Sequence, residues 1–413
     1  MNDSRQALRQ YLLITGNYWS FTLTDGALRM LVLLHFHTLG YTPWQLALLF
    51  LFYELFGVIT NLIGGWLGAR IGLNRIMNIG LGLQVAGLAM LMVPAAALTV
   101  PWVMAAQALS GIAKDLNKMS AKSAIKLLIP AGQQGRLYRW VALLTGSKNA
   151  LKGAGFFMGG ALLAALGFAN AVASMAVALA LVWLASMLLL QKELGRANHK
   201  PAFKELFSKS RSINILSAAR LLLFGARDVW FVIALPVFLS QSLGWSHTAT
   251  GSFMAAWIIF YGIVQAAAPV LTRTTISTPP NGRTVSWLAA AVALVPALMV
   301  LGLYGGLSAS AVVVAGLILF ALLFALNSAV HSFLIVDYAH RDAVSLDVGF
   351  YYMANAMGRL LGTLLSGVLF ASMGQGVAGL MACLVASALM LTATAMISSQ
   401  LPSSLQRQLG ATH

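Results

Sequence analysis

Charged side chains are scarce in this chain. Only 9% of its 413 residues are Asp, Glu, Lys or Arg, whereas soluble domains carry about a quarter. The hydrophobic share reaches 59%. These values exclude a soluble globular domain and predict an integral membrane protein. The formal net charge of +16 therefore does not indicate a nucleic-acid partner, because membrane topology explains most of it.

Cysteine is almost absent. The single Cys383 lies in an apolar segment, which excludes a disulfide framework and a cysteine metal site. His35 and His37 point about 200° apart on a helix and would chelate a metal poorly. The sequence also contains no His/Cys cluster and no phosphate-binding P-loop. We therefore expect no metal, no cofactor and a function other than catalysis.

Long apolar segments fill most of the chain instead. A helix needs about 20 apolar residues to cross a bilayer. Breaks in hydropathy, with Gly, Pro and polar clusters, predict an all-α polytopic protein with twelve transmembrane helices. The predicted spans lie near 12–38, 43–69, 75–95, 101–125, 138–167, 170–190, 213–240, 247–271, 285–304, 309–335, 347–373 and 376–398.

Lys and Arg are distributed unevenly among the connections. Of the 26 Lys and Arg, 18 lie in the termini and in alternate connections, and the other connections contain none. Cytoplasmic loops of membrane proteins carry such an excess of positive charge. The alternation predicts a multi-pass protein of the cell (inner) membrane with both termini in the cytoplasm.

The spans fall into two sets of six. Residues 1–190 form the predicted N-terminal six-helix bundle, 191–212 a basic cytoplasmic linker, and 213–413 the C-terminal six-helix bundle. Segments 39–61 and 243–265 resemble each other at a constant offset, which supports a repeat. Repeats of this kind place a substrate site between the halves near the midplane of the bilayer.

The connection after the second span reads GGWLGARIGLNR. It resembles the gating motif of major facilitator transporters, although Ala69 stands where that family has an Asp. The residues that fit the motif are Gly65, Arg70, Gly72 and Arg75. With the arrangement of six plus six spans, the resemblance implies the major facilitator fold. The contact attributed to the missing Asp is in doubt here.

Charges inside the predicted spans are mostly positive. Each costs at least about 2.5–3.5 kcal/mol at the centre of a span and normally faces a partner or a polar cavity. The cations are Arg29, Lys114, Lys118, Lys148, Lys152, Arg220, Arg227 and Arg359, and the acids are Asp25, Glu54, Asp115 and Asp228. Because pairing cannot neutralise all the cations, the excess predicts a cavity that binds an anion.

Depth along the helices selects the candidate substrate-binding residues, which are Lys114, Lys148, Lys152, Arg227 and Arg359. Most of them lie roughly 20 Å from a membrane surface, and the second and third share one helix face. Alternatively, these cations form ion pairs with neighbouring acids and have a purely structural role. Lys122 and Lys126 are expected to reach the cytoplasmic interface, with Lys118 as a transition.

Three carboxyl groups are candidates for carrying a coupling proton: Asp25, Glu54 and Asp228. Either of the first two would serve equally well to balance a cation, and Asp25 with Arg29 could form a self-contained pair. Polar and aromatic residues predicted to donate hydrogen bonds into a cavity, or to bridge helices, are Tyr18, Tyr53, Asn117, Asn149, Trp230, Tyr261, Asn327, Tyr352 and Asn355.

Four long strings carry a more specific resemblance. They are NYWSFTLTDGALRMLVLLHFH, LSGIAKDLNKMSAKSAIKLL, GRLYRWVALLTGSKNALKGAGFF and LSAARLLLFGARDVWFV. They resemble the ArsJ family of organoarsenical efflux permeases. The resemblance implies arsenate resistance by export of 1-arseno-3-phosphoglycerate, an unstable ester that glyceraldehyde-3-phosphate dehydrogenase forms from arsenate. That enzyme is the implied functional partner. The cargo carries two anionic groups, the charge class that the cations also indicate.

Two other functions remain open. The first is transport or exchange of another organophosphate or of phosphate, which the same cations would bind. The second, from a different class, is a membrane receptor or a non-transporting partner of an enzyme. Transport of soft metals through thiolates is excluded, since Cys383 is the sole cysteine.

Overall fold

The computed structural model describes residues 2–41, 45–46, 49–191, 194–198, 201–207, 209–272 and 279–402. Within these ranges the chain is helical, with connections but no strand. This confirms the all-α class.

The first half contains five long helices. A short 3₁₀ turn, Ala95–Ala97, precedes α4. α5 is interrupted at Gly167, whose φ of 73° is not helical, so the chain turns where the sequence predicts the break between its fifth and sixth spans. The helices are α1 (Asn2–Thr38), α2 (Leu51–Ile71), α3 (Leu73–Met90), α4 (Val100–Leu128) and α5 (Gln134–Leu189).

The second half follows a 3₁₀ turn at Phe203–Leu206. Its first helix continues into a short helix, Ala234–Val237, and a π-helical turn, Phe238–Ser242. The long helices are α6 (Arg211–Phe231), α7 (His247–Leu271), α8 (Gly282–Tyr304), α9 (Ala309–Tyr338), α10 (Val344–Ser372) and α11 (Val377–Ser398).

Polar residues begin several of these helices. The Ser210 hydroxyl accepts a hydrogen bond from the Ile213 N–H, and Asn281 accepts from two N–H groups at the start of α8. Side chains of this type satisfy the amide groups that a helix leaves unpaired at its N-terminus. Pro101 occupies the first turn of α4, where its missing N–H removes no helical bond.

Eight of the described helices are long and apolar enough to cross a membrane. α1, α3 and α4 are not among them. α4 fails on composition, because it carries Lys114, Lys118, Lys122, Lys126 and Asp115. α1 and α4, which carry most of the charges predicted inside the spans of the first half, are thus among the helices whose sequences look least like membrane spans.

The chain forms two compact units, which we call unit 1 and unit 2. Unit 1 contains residues 1–133, 147–208 and 339–353, and unit 2 contains 134–146, 209–338 and 354–413. An aromatic core including Phe224, Trp230, Phe320 and Phe324 fills unit 2. The division into bundles at 1–190 and 213–413 with a linker at 191–212 stays a prediction.

Glycines bring two pairs of helices into close contact. In unit 1 a Cβ at Gly26 would lie 2.7 Å from the Lys152 carbonyl oxygen, so α1 crosses α5 almost backbone to backbone. In unit 2 a Cβ at Gly225 would lie 3.0 Å from the Gly358 carbonyl oxygen, and α6 crosses α10 in the same way. Small residues permit such approaches between membrane helices. Each crossing lies beside charged side chains.

Candidate functional site

Asp25 is the centre of the first charged group in unit 1. Its side chain is 4% exposed, and the Tyr53 hydroxyl donates to it at 2.7 Å. Lys152 Nζ lies 3.8 Å from its other oxygen, because the α1–α5 crossing sets residues 25 and 152 side by side. Ser110 of α4 donates a longer bond of 3.4 Å. Four helices therefore converge on one carboxylate.

The Glu54 carboxylate forms ion pairs with two further cations. Arg29 Nη2 lies 3.1 Å from Oε1, and Lys114 Nζ lies 3.9 Å from Oε2. The ring of Tyr53 contacts both cations, with Lys114 Nζ 3.8 Å and Arg29 Cζ 4.6 Å from its centroid. Such cation–π contacts stabilise a cation while leaving its hydrogen-bond donors available. Arg29 pairs with Glu54 of α2, so the self-contained pair with Asp25 is not observed.

Asp115 is the third acid of this unit. Lys118 Nζ lies 2.5 Å from its Oδ1, and Lys114 Nζ lies 3.9 Å from its Oδ2. Lys114 therefore contacts two carboxylates. Lys148 precedes Lys152 by one helical turn, and its ammonium donates to the Asn149 side-chain oxygen at 3.2 Å.

The four lysines that recur every fourth residue along α4 do not become steadily more exposed towards its C-terminal end. Lys122 is 2% exposed, which corrects the expectation that it reaches the cytoplasmic interface. Its Nζ lies 5.0 Å from the ring centroid of Tyr352, and that of Lys118 lies 4.5 Å from the same centroid. The long lysine side chains turn towards an aromatic ring within unit 1.

Asp228 is the acid of the charged group in unit 2. Its side chain is fully buried, with Arg227 Nε 2.6 Å from Oδ1 and Arg359 Nε 3.1 Å from Oδ2. The sequence patterns GARD and GRLLG explain the geometry. Their glycines allow α6 and α10 to touch, and the charged residues follow directly.

Arg220 extends this group by two turns of α6. Its Nε donates to Asn355 at 2.8 Å, and its Nη1 donates to Ser328 at 3.1 Å. The guanidinium carbons of Arg220 and Arg227 both lie over the ring of Phe224, at 3.9 and 4.7 Å from its centroid. Uncharged oxygens and an aromatic face bind the Arg220 guanidinium, whereas Arg227 combines the aromatic face with the Asp228 carboxylate.

The gating motif lies within unit 1. Gly65 approaches α10 so closely that a Cβ would meet the Ser345 carbonyl oxygen at 2.5 Å, and the Ser345 hydroxyl donates to the Gly65 carbonyl. Gly72 has a φ of 100°, which explains the glycine between α2 and α3. Arg70 stacks on Trp66 at 4.8 Å, and Arg75 lies in the first turn of α3.

Ala69, which replaces the expected Asp, accepts a backbone hydrogen bond from Ala197 at 2.8 Å. The neighbouring Leu73 N–H donates to the Leu194 carbonyl at 2.8 Å, and Trp66 donates to the Pro201 carbonyl at 3.0 Å. The described part of the linker is therefore bound along the motif. A side-chain charge at position 69 is not needed for these contacts.

The predicted binding residues are divided between the two units. Lys114, Lys148 and Lys152 belong to unit 1, and Arg227 and Arg359 share Asp228 in unit 2. The three candidate coupling acids are all ion-paired. Sequence reasoning missed His331, Ser328 and Ser110. Polar residues at 327, 328, 331 and 332 interrupt the otherwise apolar α9, and this pattern could have identified His331 and Ser328 from the sequence.

Within the residues that the structure describes, no group of three or more His, Cys, Asp or Glu is placed to bind a metal ion. Both units instead present several cations grouped around a few carboxylates. An arrangement of this kind suits an anionic solute.

Residues 11–363 match the sequence profile of the Major Facilitator Superfamily. The chain belongs to the major facilitator superfamily. It is accordingly a multi-pass membrane protein with the fold of secondary transporters of small solutes, and not an enzyme.

Solved structures show the same major facilitator fold. The human organic anion transporter MFSD10 has a TM-score of 0.71 at 17% identity, over 95% of this chain and 99% of that one. The proton:xylose symporter XylE has a TM-score of 0.75 at 13% identity, over 95% of both chains. A bacterial homologue of the iron transporter ferroportin has 0.71 at 14%, over 97% of this chain and 99% of that one. No curated protein sequence matches the chain significantly.

Proposed function

We propose that this transporter exports a small doubly anionic arsenate/phosphate ester, 1-arseno-3-phosphoglycerate, from the cytoplasm across the inner membrane by alternating access, and so confers resistance to arsenate. Glyceraldehyde-3-phosphate dehydrogenase is the functional partner that produces the ester. Both termini of the transporter lie in the cytoplasm. Lys114, Lys148, Lys152, Arg227 and Arg359 bind the substrate.

The positive surplus in each unit is the observation that carries this proposal. Among the predicted intramembrane residues, unit 1 has five cations against three acids, and unit 2 has three against one. Each unit thus keeps two positive charges beyond those that its own carboxylates neutralise. Ionised side chains are expensive at this depth, and an anionic cargo would compensate for them.

The chemistry of the cations fits two oxyanions. Unit 1 offers mainly lysines, whose ammonium groups act as compact point charges, and unit 2 offers arginines, whose planar guanidiniums bind oxyanions with two parallel hydrogen bonds. The acids hold these groups in position while substrate is absent. An incoming oxyanion therefore meets preorganised donors and displaces contacts of the same kind.

Two further findings support the proposal. The strings that resemble organoarsenical efflux permeases contain most of the charged residues described above, including Asp25, Lys114, Lys152 and Asp228. One solved structure with the same fold is an organic anion transporter. Asp25, Glu54 and Asp228 are the groups through which a proton would couple to transport, which an imposed pH gradient tests directly.

Everted membrane vesicles test the function. The dehydrogenase, glyceraldehyde-3-phosphate, NAD and arsenate are supplied outside to generate the short-lived ester, and arsenic accumulation is measured. We expect uptake only with the complete mixture. Uptake of phosphoglycerate or phosphate with no response to arsenate would instead indicate the organophosphate transporter or exchanger. No flux of any of these would favour the receptor or enzyme partner.

A double variant tests the assignment of the binding residues. Lys152→Ala with Arg227→Ala removes one cation from each unit and should lower the rate about tenfold or more, because truncating a buried charged partner costs 2–5 kcal/mol. The control is Lys204→Ala, which removes an exposed cation of the linker. Full activity of the double variant would show that these two residues do not bind the substrate.

A further inference from the structure

A polar stripe runs along α9 inside unit 2. Asn327, Ser328, His331 and Ser332 occupy two successive turns, and none is more than 1% exposed. Residues four apart on a helix lie on the same face, so the amide of 327 and the imidazole of 331 are neighbours. The rest of α9 is strongly apolar, which makes the stripe a local exception.

The stripe lies next to a cation of unit 2. Ser328 accepts from Arg220 at 3.1 Å and from the side-chain amide of Gln265 at 3.2 Å. Arg220 is fixed on its other side by Asn355. Through Ser328, the uncharged side chains of the stripe thus lie directly beside the arginines of unit 2.

Two side chains of the stripe have no hydrogen-bond partner among the described residues. They are Asn327, at both the nitrogen and the oxygen of its amide, and His331, at both ring nitrogens. A buried polar group left without a partner destabilises a protein by about 1–3 kcal/mol, so buried polar atoms are rarely left unpaired. Leu and Phe would fill the same space without this cost.

We propose that Asn327 and His331 form a specificity site for the uncharged, hydroxyl-bearing part of an organic anion whose charged group is bound by the arginines. An amide offers two donors and an acceptor, and a neutral imidazole offers one of each. A hydroxyl group both donates and accepts, and matches this set. The stripe is closed to solvent in this conformation, so the ligand reaches it when the helices rearrange during the transport cycle. The inference rests on the proposed function.

Two synthetic substrates of equal charge isolate the hydroxyl group. The full-length protein is reconstituted in proteoliposomes, and initial rates are measured for 3-phosphoglycerate and for 3-phosphopropionate, which lacks the hydroxyl. A site built to bind a hydroxyl rejects the analogue that lacks it. We expect the wild type to prefer 3-phosphoglycerate about tenfold, and we expect Asn327→Leu and His331→Leu to bring the ratio of rates near one.

Two variants control for indirect effects. His331→Gln keeps hydrogen-bonding capacity at the site and should retain most of the preference. Thr394→Val removes a buried hydroxyl that donates only to its own helix, to the Met390 carbonyl, and should leave the ratio unchanged. Folding of every variant is checked by gel filtration before reconstitution.

The outcomes separate the inference from the proposed function. A wild type that transports both compounds with the same ratio as the Leu variants overturns the specificity site and leaves export of an organic anion intact. Variants that are more stable than wild type and keep its preference also overturn it. A wild type that transports neither compound overturns the specificity site, whereas export of the arsenate ester is judged separately by arsenic uptake in the everted vesicles.

Discussion

Asp228 lies between two guanidiniums in the interior of unit 2, and replacing it with Asn removes its charge while keeping its shape. The Nε of Arg359 is 3.1 Å from the carboxylate. At an effective dielectric constant of about 20, a pair of unit charges at that distance attracts with about 5 kcal/mol. The Arg359 side chain is 34% exposed, so solvent screens part of this attraction.

The expected loss of stability for Asp228→Asn is therefore about 3 kcal/mol, at the lower end of the 3–5 kcal/mol typical when one partner of a buried ion pair is removed. Removing the charge of the acid takes away the carboxylate that two partly buried arginines share. Arg359→Gln should cost less, because Asp228 then keeps Arg227. The double variant Asp228→Asn, Arg359→Gln should lose less stability than the two single losses added together. The difference should be about 0.5–3 kcal/mol.

Unfolding of the purified protein in detergent, followed by the fluorescence of its 10 Trp, measures these differences. Asp342→Asn is the control, since this exposed aspartate accepts a hydrogen bond from the Asn198 N–H that an amide oxygen can also accept. The electrostatic reasoning fails if Asp228→Asn unfolds like the wild type. It also fails if the two substitutions are strictly additive.

Three further substitutions probe other features. Gly26→Leu should sharply reduce the yield of folded protein, because even a Cβ would lie 2.7 Å from the Lys152 carbonyl oxygen; normal yield on gel filtration would contradict the close crossing. Tyr53→Phe removes the donor to Asp25 and should lower stability by about 1.5–3 kcal/mol, measured by thermal unfolding, and an unchanged unfolding curve would argue against that bond. Trp66→Phe removes the indole donor to the linker and should speed tryptic cleavage there, whereas equal cleavage rates would show that the bond does not hold the linker.

Hydropathy and charge were sufficient to predict the fold class. Glycines permit the close backbone approach at the two crossings, Gly26 with Gly155 and Gly225 with Gly358. The kink at Gly167 also falls where the spans were predicted to break. These features are local, and they follow from the side chains themselves.

The partners that lie on other helices could not be predicted, unlike the local pairs of Asp115 with Lys118 and of Asp228 with Arg227. Glu54 lies on α2 and pairs with Arg29 of α1 and Lys114 of α4, which depends on how three helices pack. Lys122 was expected at the interface because lysine side chains are long, yet its contact with Tyr352 links residues far apart in sequence. Long-range pairing of this kind is set by tertiary contacts, which single-sequence periodicity does not contain.

The pairing of charges between helices also has a consequence for biogenesis. α1 and α4 are too polar to count as membrane spans on composition, and each Lys, Arg or Asp near a span centre opposes insertion by about 2.5–3.5 kcal/mol. Several of their counter-charges lie on other helices: Arg29 of α1 and Lys114 of α4 pair with Glu54 of α2, and Lys152 of α5 pairs with Asp25 of α1. These charges are compensated only when the helices pack together, so we expect insertion of the first half of the chain to be cooperative.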